Sequence, residues 1–284
     1  MVRLNHPGAD VYVPDGAAEE EALARTTHLC VGAHQDDIEI MAYHGIAECY
    51  QKKDLWFTGV TVTNGSGSPR TGIYGDFTDE EMMAVRREEQ RKAAFAGGYS
   101  LQYQLGYPSA DVKTPPAEKV VEDLQGIFLA ASPRVVYLHN PADKHETHVA
   151  CLARALAALR RLPRDKRPGK VLGCEIWRDL DWLPDGEKVT LDVSARQNLA
   201  AALMGIFDSQ VAGGKRYDLA TQGRRRANAT FFASHAVDEA EALTFAVDLT
   251  PLVEDPGLSP EEFILAAIDR FKGEVSAVLR KVLG

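Results

Sequence analysis

The sequence predicts a doubly wound (Rossmann-like) α/β fold: a mostly parallel sheet with helices on both faces. Three observations carry this. Short apolar runs alternate with longer stretches whose apolar residues recur at helical spacing, which implies right-handed strand–helix–strand crossovers. Gly and Pro cluster between these elements. The length, 284 residues at 45% hydrophobic and 26% charged, is within reach of one large α/β domain.

The elements follow in order. Residues 1–26 are polar, contain Pro and Gly, and read as an N-terminal arm; residues 27–284 read as a single domain. THLCVGAH (27–34) is a short buried strand, and 37–53 a helix. WFTGVTVT (56–63) is a strand, 79–97 a helix, SLQYQLGY (100–107) a strand, 117–131 a helix, RVVYLHN (134–140) a strand and 146–160 a helix. The basic stretch 160–170 is a solvated loop leading to a strand at 170–177. Beyond it lie a strand at 189–194, helices near 195–207 and 217–234, a strand at 242–249 and an amphipathic helix from 260 to 283. Arg224, Arg225 and Arg226 diverge if helical, so they read as surface ion-pairing groups and not as one anion patch.

Composition excludes several roles. Lys and Arg total 32 against 41 Asp and Glu, so the chain lacks the basic footprint of a nucleic-acid or anionic-membrane binder. No apolar stretch approaches a membrane span, and the first residues lack the apolar core of a signal peptide, so a cytoplasmic location is expected. Cys30, Cys49, Cys151 and Cys174 are scattered singly and read as reduced core thiols. There is no GxGxxG after the first strand and no Walker A pattern, hence no phosphate cradle. The composition leaves room for a homo-oligomer.

Two clusters carry the chemistry. The first strand ends in AHQDD, which holds His34, Asp36 and Asp37. The strand at 134–140 is followed by NPADKHETH, which puts His145 and His148 three residues apart on one face at a helix start. Ligands of open parallel sheets collect at the carboxyl ends of strands, where the strand order reverses. If the order is the common 3-2-1-4-5, the two clusters face each other across that point. Two imidazoles and one carboxylate with open positions suit a catalytic divalent metal. Capping and dipole roles explain either cluster taken alone.

AHQDDIE resembles the AHPDDxE signature of the PIG-L/LmbE-like N-acetylglucosaminyl deacetylase family, and HETH stands where that family has HPDH. The similarity runs from about residue 27 to 250 and includes the Arg-x-x-Glu helix, here Arg86 and Glu89. The resemblance implies a zinc-dependent deacetylase in which His34, Asp37 and His148 hold Zn2+, or another divalent ion. Asp36 is then the general base, His145 the general acid or oxyanion stabiliser, and Arg86 a substrate contact. Gln35 replaces the usual Pro, Glu146 and Thr147 replace Pro-Asp, and Met41-Ala42-Tyr43-His44 replaces small residues. Ser109 stands where a substrate-binding acid is expected.

The residues fit amide hydrolysis. Asp36 diverges from Asp37 by about 100° at a helix start, so it can address a water without ligating the metal. Asp143 reads either as an orienting partner of a ligand imidazole or as a turn cap. Glu39 reads as a group behind the site or an early-helix acid, and His44 as a satisfied core histidine. Trp177, Asp179, Asp181 and Trp182 follow a strand with a composition able to stack on a sugar and bind its hydroxyls; packing is the competing role. The loop 64–78 and segment 177–183 are expected at the pocket mouth. The expected substrate is a small N-acetylated amino sugar or glycoconjugate. The alternatives are an amidase of another N-acyl or thiol-conjugate substrate, a non-catalytic binding module on the same scaffold, and an iron oxygenase with the same ligand types.

Overall fold

The computed structural model describes all 284 residues. One sheet contains β1 (Asp10–Tyr12), β2 (His28–Gly32), β3 (Phe57–Thr63), β4 (Leu101–Tyr107), β5 (Val135–His139), β6 (Lys170–Cys174), β7 (Lys188–Asp192) and β8 (Leu243–Asp248). Their order is β1-β4-β3-β2-β5-β6-β8-β7. The five inner strands β4-β3-β2-β5-β6 run parallel. They reproduce the expected 3-2-1-4-5 order, with antiparallel strands added at both edges.

The parallel strands read as nearly continuous apolar runs because both of their faces are covered. Alternate residues of one strand enter different cores: Leu29 and Val31 pack with Val136 and Leu138 on one side, and Cys30 packs with Tyr137 on the other. Helices Glu118–Ala131 and Glu146–Arg160 seal the first side. Helices Asp37–Met41, Tyr43–Cys49 and Asp79–Ala96 seal the second. The four cysteines are free and buried. No helix is long and apolar enough to cross a membrane.

Three expectations are corrected. The first 26 residues hold β1, which extends the sheet through Asp10 opposite Gln104, and a helix at Glu19–Ala24. The helix expected at 37–53 breaks at Ala42 (φ −114°, ψ 20°). In a continuous helix the carbonyls of Glu39 and Ile40 would accept from residues four further on. Here both accept from Arg225 Nη2, each at 2.9 Å. Arg225 is therefore 4% exposed and not a surface ion-pairing group.

The chain leaves β2 toward β3 on one side and returns to β5 on the other, so the carboxyl ends of β2 and β5 flank the reversal point. Both sequence clusters emerge there.

Candidate metal centre

Three donor atoms converge beyond the ends of β2 and β5. His34 Nδ1 lies 3.2 Å from His148 Nε2 and 3.3 Å from Asp37 Oδ2, and His148 Nε2 lies 3.4 Å from the same oxygen. Ligand bonds of about 2.0–2.2 Å in a tetrahedral shell place neighbouring ligand atoms about 3.3–3.6 Å apart. The three donors therefore fit one small divalent cation. Asp37 and His148 are buried, whereas the His34 side chain is 24% exposed, so the site opens to solvent on the His34 side.

Local structure fixes each donor. Asp37 opens a short helix and accepts the backbone N–H of His34 at 2.7 Å. Burial opposes its charge, but His148, His34 and His139 outweigh burial and hold the carboxyl well below the usual range. His148 sits in the first turn of helix Glu146–Arg160, with its Nδ1 3.5 Å from Asp143 Oδ2. Burial would lower this imidazole, yet Asp37 and Asp143 raise it. Asp143 Oδ1 also accepts the His145 N–H at 2.9 Å, which caps the turn.

Asp36 stands outside this donor set, and its backbone turns through φ 96°. This region is costly for a residue with a Cβ and recurs at functional sites. The Asp36 N–H donates to Gln90 Oε1 at 3.3 Å. Arg86 Nη2 donates to the Gln35 carbonyl and stands 3.3 Å from Asp36 Oδ2. Arg86, expected to touch substrate, is 1% exposed and holds this turn; its Nη1 faces Glu89 and Ser209. Burial pushes the Asp36 carboxyl up to about 7 against the pull of Arg86. Gln35 ties the turn to the neighbouring strands through Thr63 O and Gln104 Oε1, both at 3.2 Å. Glu39 lies behind Gln90 and accepts from it at 2.8 Å and from Tyr99 at 2.7 Å.

His145 stacks on His148 with ring centroids 4.5 Å apart and meets His34 edge-on at 4.9 Å. Burial and its imidazole neighbours push it down to about 4, so it is neutral near pH 7. His139, which the sequence did not single out, stacks on His148 at 4.1 Å, and its Nε2 accepts the Ala33 N–H at 2.9 Å. Burial and His148 keep it neutral, so His139 braces the centre from behind. Its only sequence signal was its place at the end of a strand beside the reversal point.

A cavity of about 570 Å³ opens over these groups. It receives His34, Asp36, Asp37, Arg86, His145 and Ser109 of the expected residues. From the mouth segments it receives Gly65, Gly67, Ser68, Pro69 and Trp177. Asp179 is exposed and outside the lining, and His44 is bonded to Tyr137 Oη at 2.9 Å away from it. Tyr217, Lys215, Glu175 and Arg224 line the cavity without having been expected there. Tyr217 meets Trp177 edge-on at 6.0 Å.

Known proteins align with this picture. The Escherichia coli (strain K12) protein named "Uncharacterized deacetylase YaiS" is 27% identical over 156 residues, 54% of this chain and 78% of that one. The structure of GalB, the 4-carboxy-2-hydroxymuconate hydratase of Pseudomonas putida KT2440, superposes with TM-score 0.61 at 18% identity, covering 79% of this chain and 95% of that chain. The N,N'-diacetylchitobiose deacetylase of Pyrococcus horikoshii superposes with TM-score 0.58 at 18% identity, covering 82% and 88%. These two structures share the fold and carry different reactions in their names, so the fold alone does not choose between them. The family model described as "PIG-L: GlcNAc-PI de-N-acetylase" matches residues 29–159, the segment that holds both motifs and every converging donor. The match to residues 29–159 agrees with the resemblance carried by the AHQDDIE and HETH motifs.

Proposed function

We propose that this protein is a zinc-dependent N-deacetylase that hydrolyses the acetamide of an N-acetylated amino sugar or glycoconjugate. The observation that carries the reading is the division of labour around the cavity. Three donors converge within 3.2–3.4 Å, while a fourth group, the buried Asp36, lines the same cavity outside that donor set.

His34, Asp37 and His148 would hold the cation. When bound, such an ion lowers the pKa of water to about 7 and polarises an acyl oxygen. Asp36 accepts a proton from the attacking water, a task for which a carboxyl near 7 is suited at neutral pH. Arg86 donates to that carboxylate, and Gln90 accepts the Asp36 backbone N–H, which fixes the turn that presents it. His145, neutral and facing the cavity, donates an N–H to the oxygen on which negative charge grows. The proton held by Asp36 then passes to the amine nitrogen as the C–N bond breaks, giving acetate and a free amine. Trp177, half-buried at the rim, offers a face to a sugar ring. The PIG-L match and the diacetylchitobiose deacetylase likeness support an acetamido sugar as substrate class.

The test is release of acetate and free amine from a panel of N-acetylated sugars, by protein stripped of metal and then reloaded with zinc. Release is expected only after reloading. Equal release by stripped protein, or none from any acetamido sugar, overturns the proposal.

A further inference from the structure

The wall of the cavity around the Ile176–Trp177 segment carries positive charge that no salt bridge neutralises. Lys215 Nζ stands 5.0 Å from the centre of the Trp177 ring, and Arg224 donates through Nη1 to the carbonyl of the preceding residue, Ile176. Both side chains line the cavity, and neither pairs with a carboxylate. The π face of Trp177 orients the ammonium without cancelling its charge. Arg224 keeps Nε and Nη2 free of protein acceptors.

The one acid lining this wall is poorly placed to serve them. Glu175 is 3% exposed, and its Oε1 is taken by the Phe245 N–H at 2.9 Å and by Asn228 at 2.5 Å. Its Oε2 has no partner. Burial pushes this carboxyl up to about 7 despite Arg224, so near neutral pH it is partly a hydrogen-bond donor. Asp179 contributes from the exposed surface only.

We propose that Lys215 and Arg224, on either side of the Ile176–Trp177 segment, form a subsite for an anionic substituent, a carboxylate or a phosphate, on the molecule whose acetamide reaches the metal centre. The cavity then sets two unpaired cations beside the acids and imidazoles where acyl transfer occurs. A neutral substrate would leave both cations facing a cavity without a counter-ion, which is unfavourable once water is displaced. The inference rests on the deacetylase reading for the acetamide, but its binding component is separable.

Three matched probes test it: the methyl glycoside of N-acetylglucosamine, its carboxymethyl glycoside, and N-acetylglucosamine 1-phosphate. Binding is measured by calorimetry with Asp36→Asn protein, in which turnover is suppressed, and acetate release with the unaltered enzyme. An anionic probe should bind about tenfold tighter than the methyl glycoside, the size of one charge-assisted hydrogen bond. The carboxymethyl and phosphate arms distinguish the two sources of charge. Lys215→Gln should remove most of the preference and leave methyl glycoside binding unchanged; because the Lys215 side chain makes no hydrogen bond within the protein, this variant folds even if Arg224→Gln does not. With Asp36 intact, the loss caused by Lys215→Gln should appear in KM and not in kcat, as for uniform binding. Equal binding of all three probes, or a preference that survives Lys215→Gln combined with Arg224→Gln, overturns the subsite. Tight binding of an anionic probe without acetate release would instead overturn the deacetylase reading and leave the subsite standing.

Discussion

Asp36→Asn should inactivate the protein and stabilise it. The carboxyl is 4% exposed, and burial moves it from 3.8 to about 7 even though Arg86 pulls the other way. At roughly 1.4 kcal/mol for each tenfold change in the equilibrium, keeping Asp36 ionised in the folded chain costs on the order of 4 kcal/mol. A raised folded pKa means that the stability from this group is complete below 3.8 and is lost as pH rises through about 7. Asparagine carries no charge to bury and tolerates positive φ better than most residues. In chelator-treated protein, urea unfolding should therefore show Asp36→Asn more stable by on the order of 4 kcal/mol at pH 8, with the gain falling below about 1 kcal/mol at pH 4. Turnover of the zinc-loaded variant should fall by about 10²–10⁴-fold, the general-base contribution. Retained turnover, or a stability difference that does not change with pH, would refute the assignment of a buried, strained base to Asp36.

Other variants separate supporting roles. Asp143→Asn should weaken zinc affinity by about 10–100-fold, because it removes the carboxylate facing His148 Nδ1; unchanged affinity in equilibrium dialysis would deny it that role. His139→Leu should lower stability by about 1–3 kcal/mol through the unsatisfied Ala33 N–H while zinc stays stoichiometric. Loss of zinc from folded His139→Leu protein would make His139 a ligand. Gly65→Ala should lower Tm, since this residue holds φ +77° and a Cβ would stand 2.6 Å from Gln35 Oε1; the left-handed backbone alone adds about 1–2 kcal/mol. An unchanged Tm would show that the loop shifts freely.

The parallel core was legible because strands covered on both faces leave unbroken apolar runs, and the crossovers between them have helical period. β1 was not, since three residues are too few to show a period and pair with β4 ninety or more positions away. The helix break at Ala42 was hidden because Arg225, which compensates it, comes from a distant helix. The converging donors were legible because two compact motifs sit at strand ends that topology makes adjacent. Lys215 and Tyr217 were invisible, for they lie in a turn and a helix start without any motif spacing. Arg86 was foreseen beside the site and lines the cavity, but its buried contacts with Gln35 and Asp36 appear only in three dimensions.

Anomalous scattering at the zinc edge from crystals of the zinc-loaded protein tests the central claim most directly. We predict one strong peak about 2.0–2.2 Å from His34 Nδ1, Asp37 Oδ2 and His148 Nε2, with Asp36 outside bonding distance. A peak bound by His139 or His145 in place of any of these three, or no peak at the ends of β2 and β5, would contradict the account.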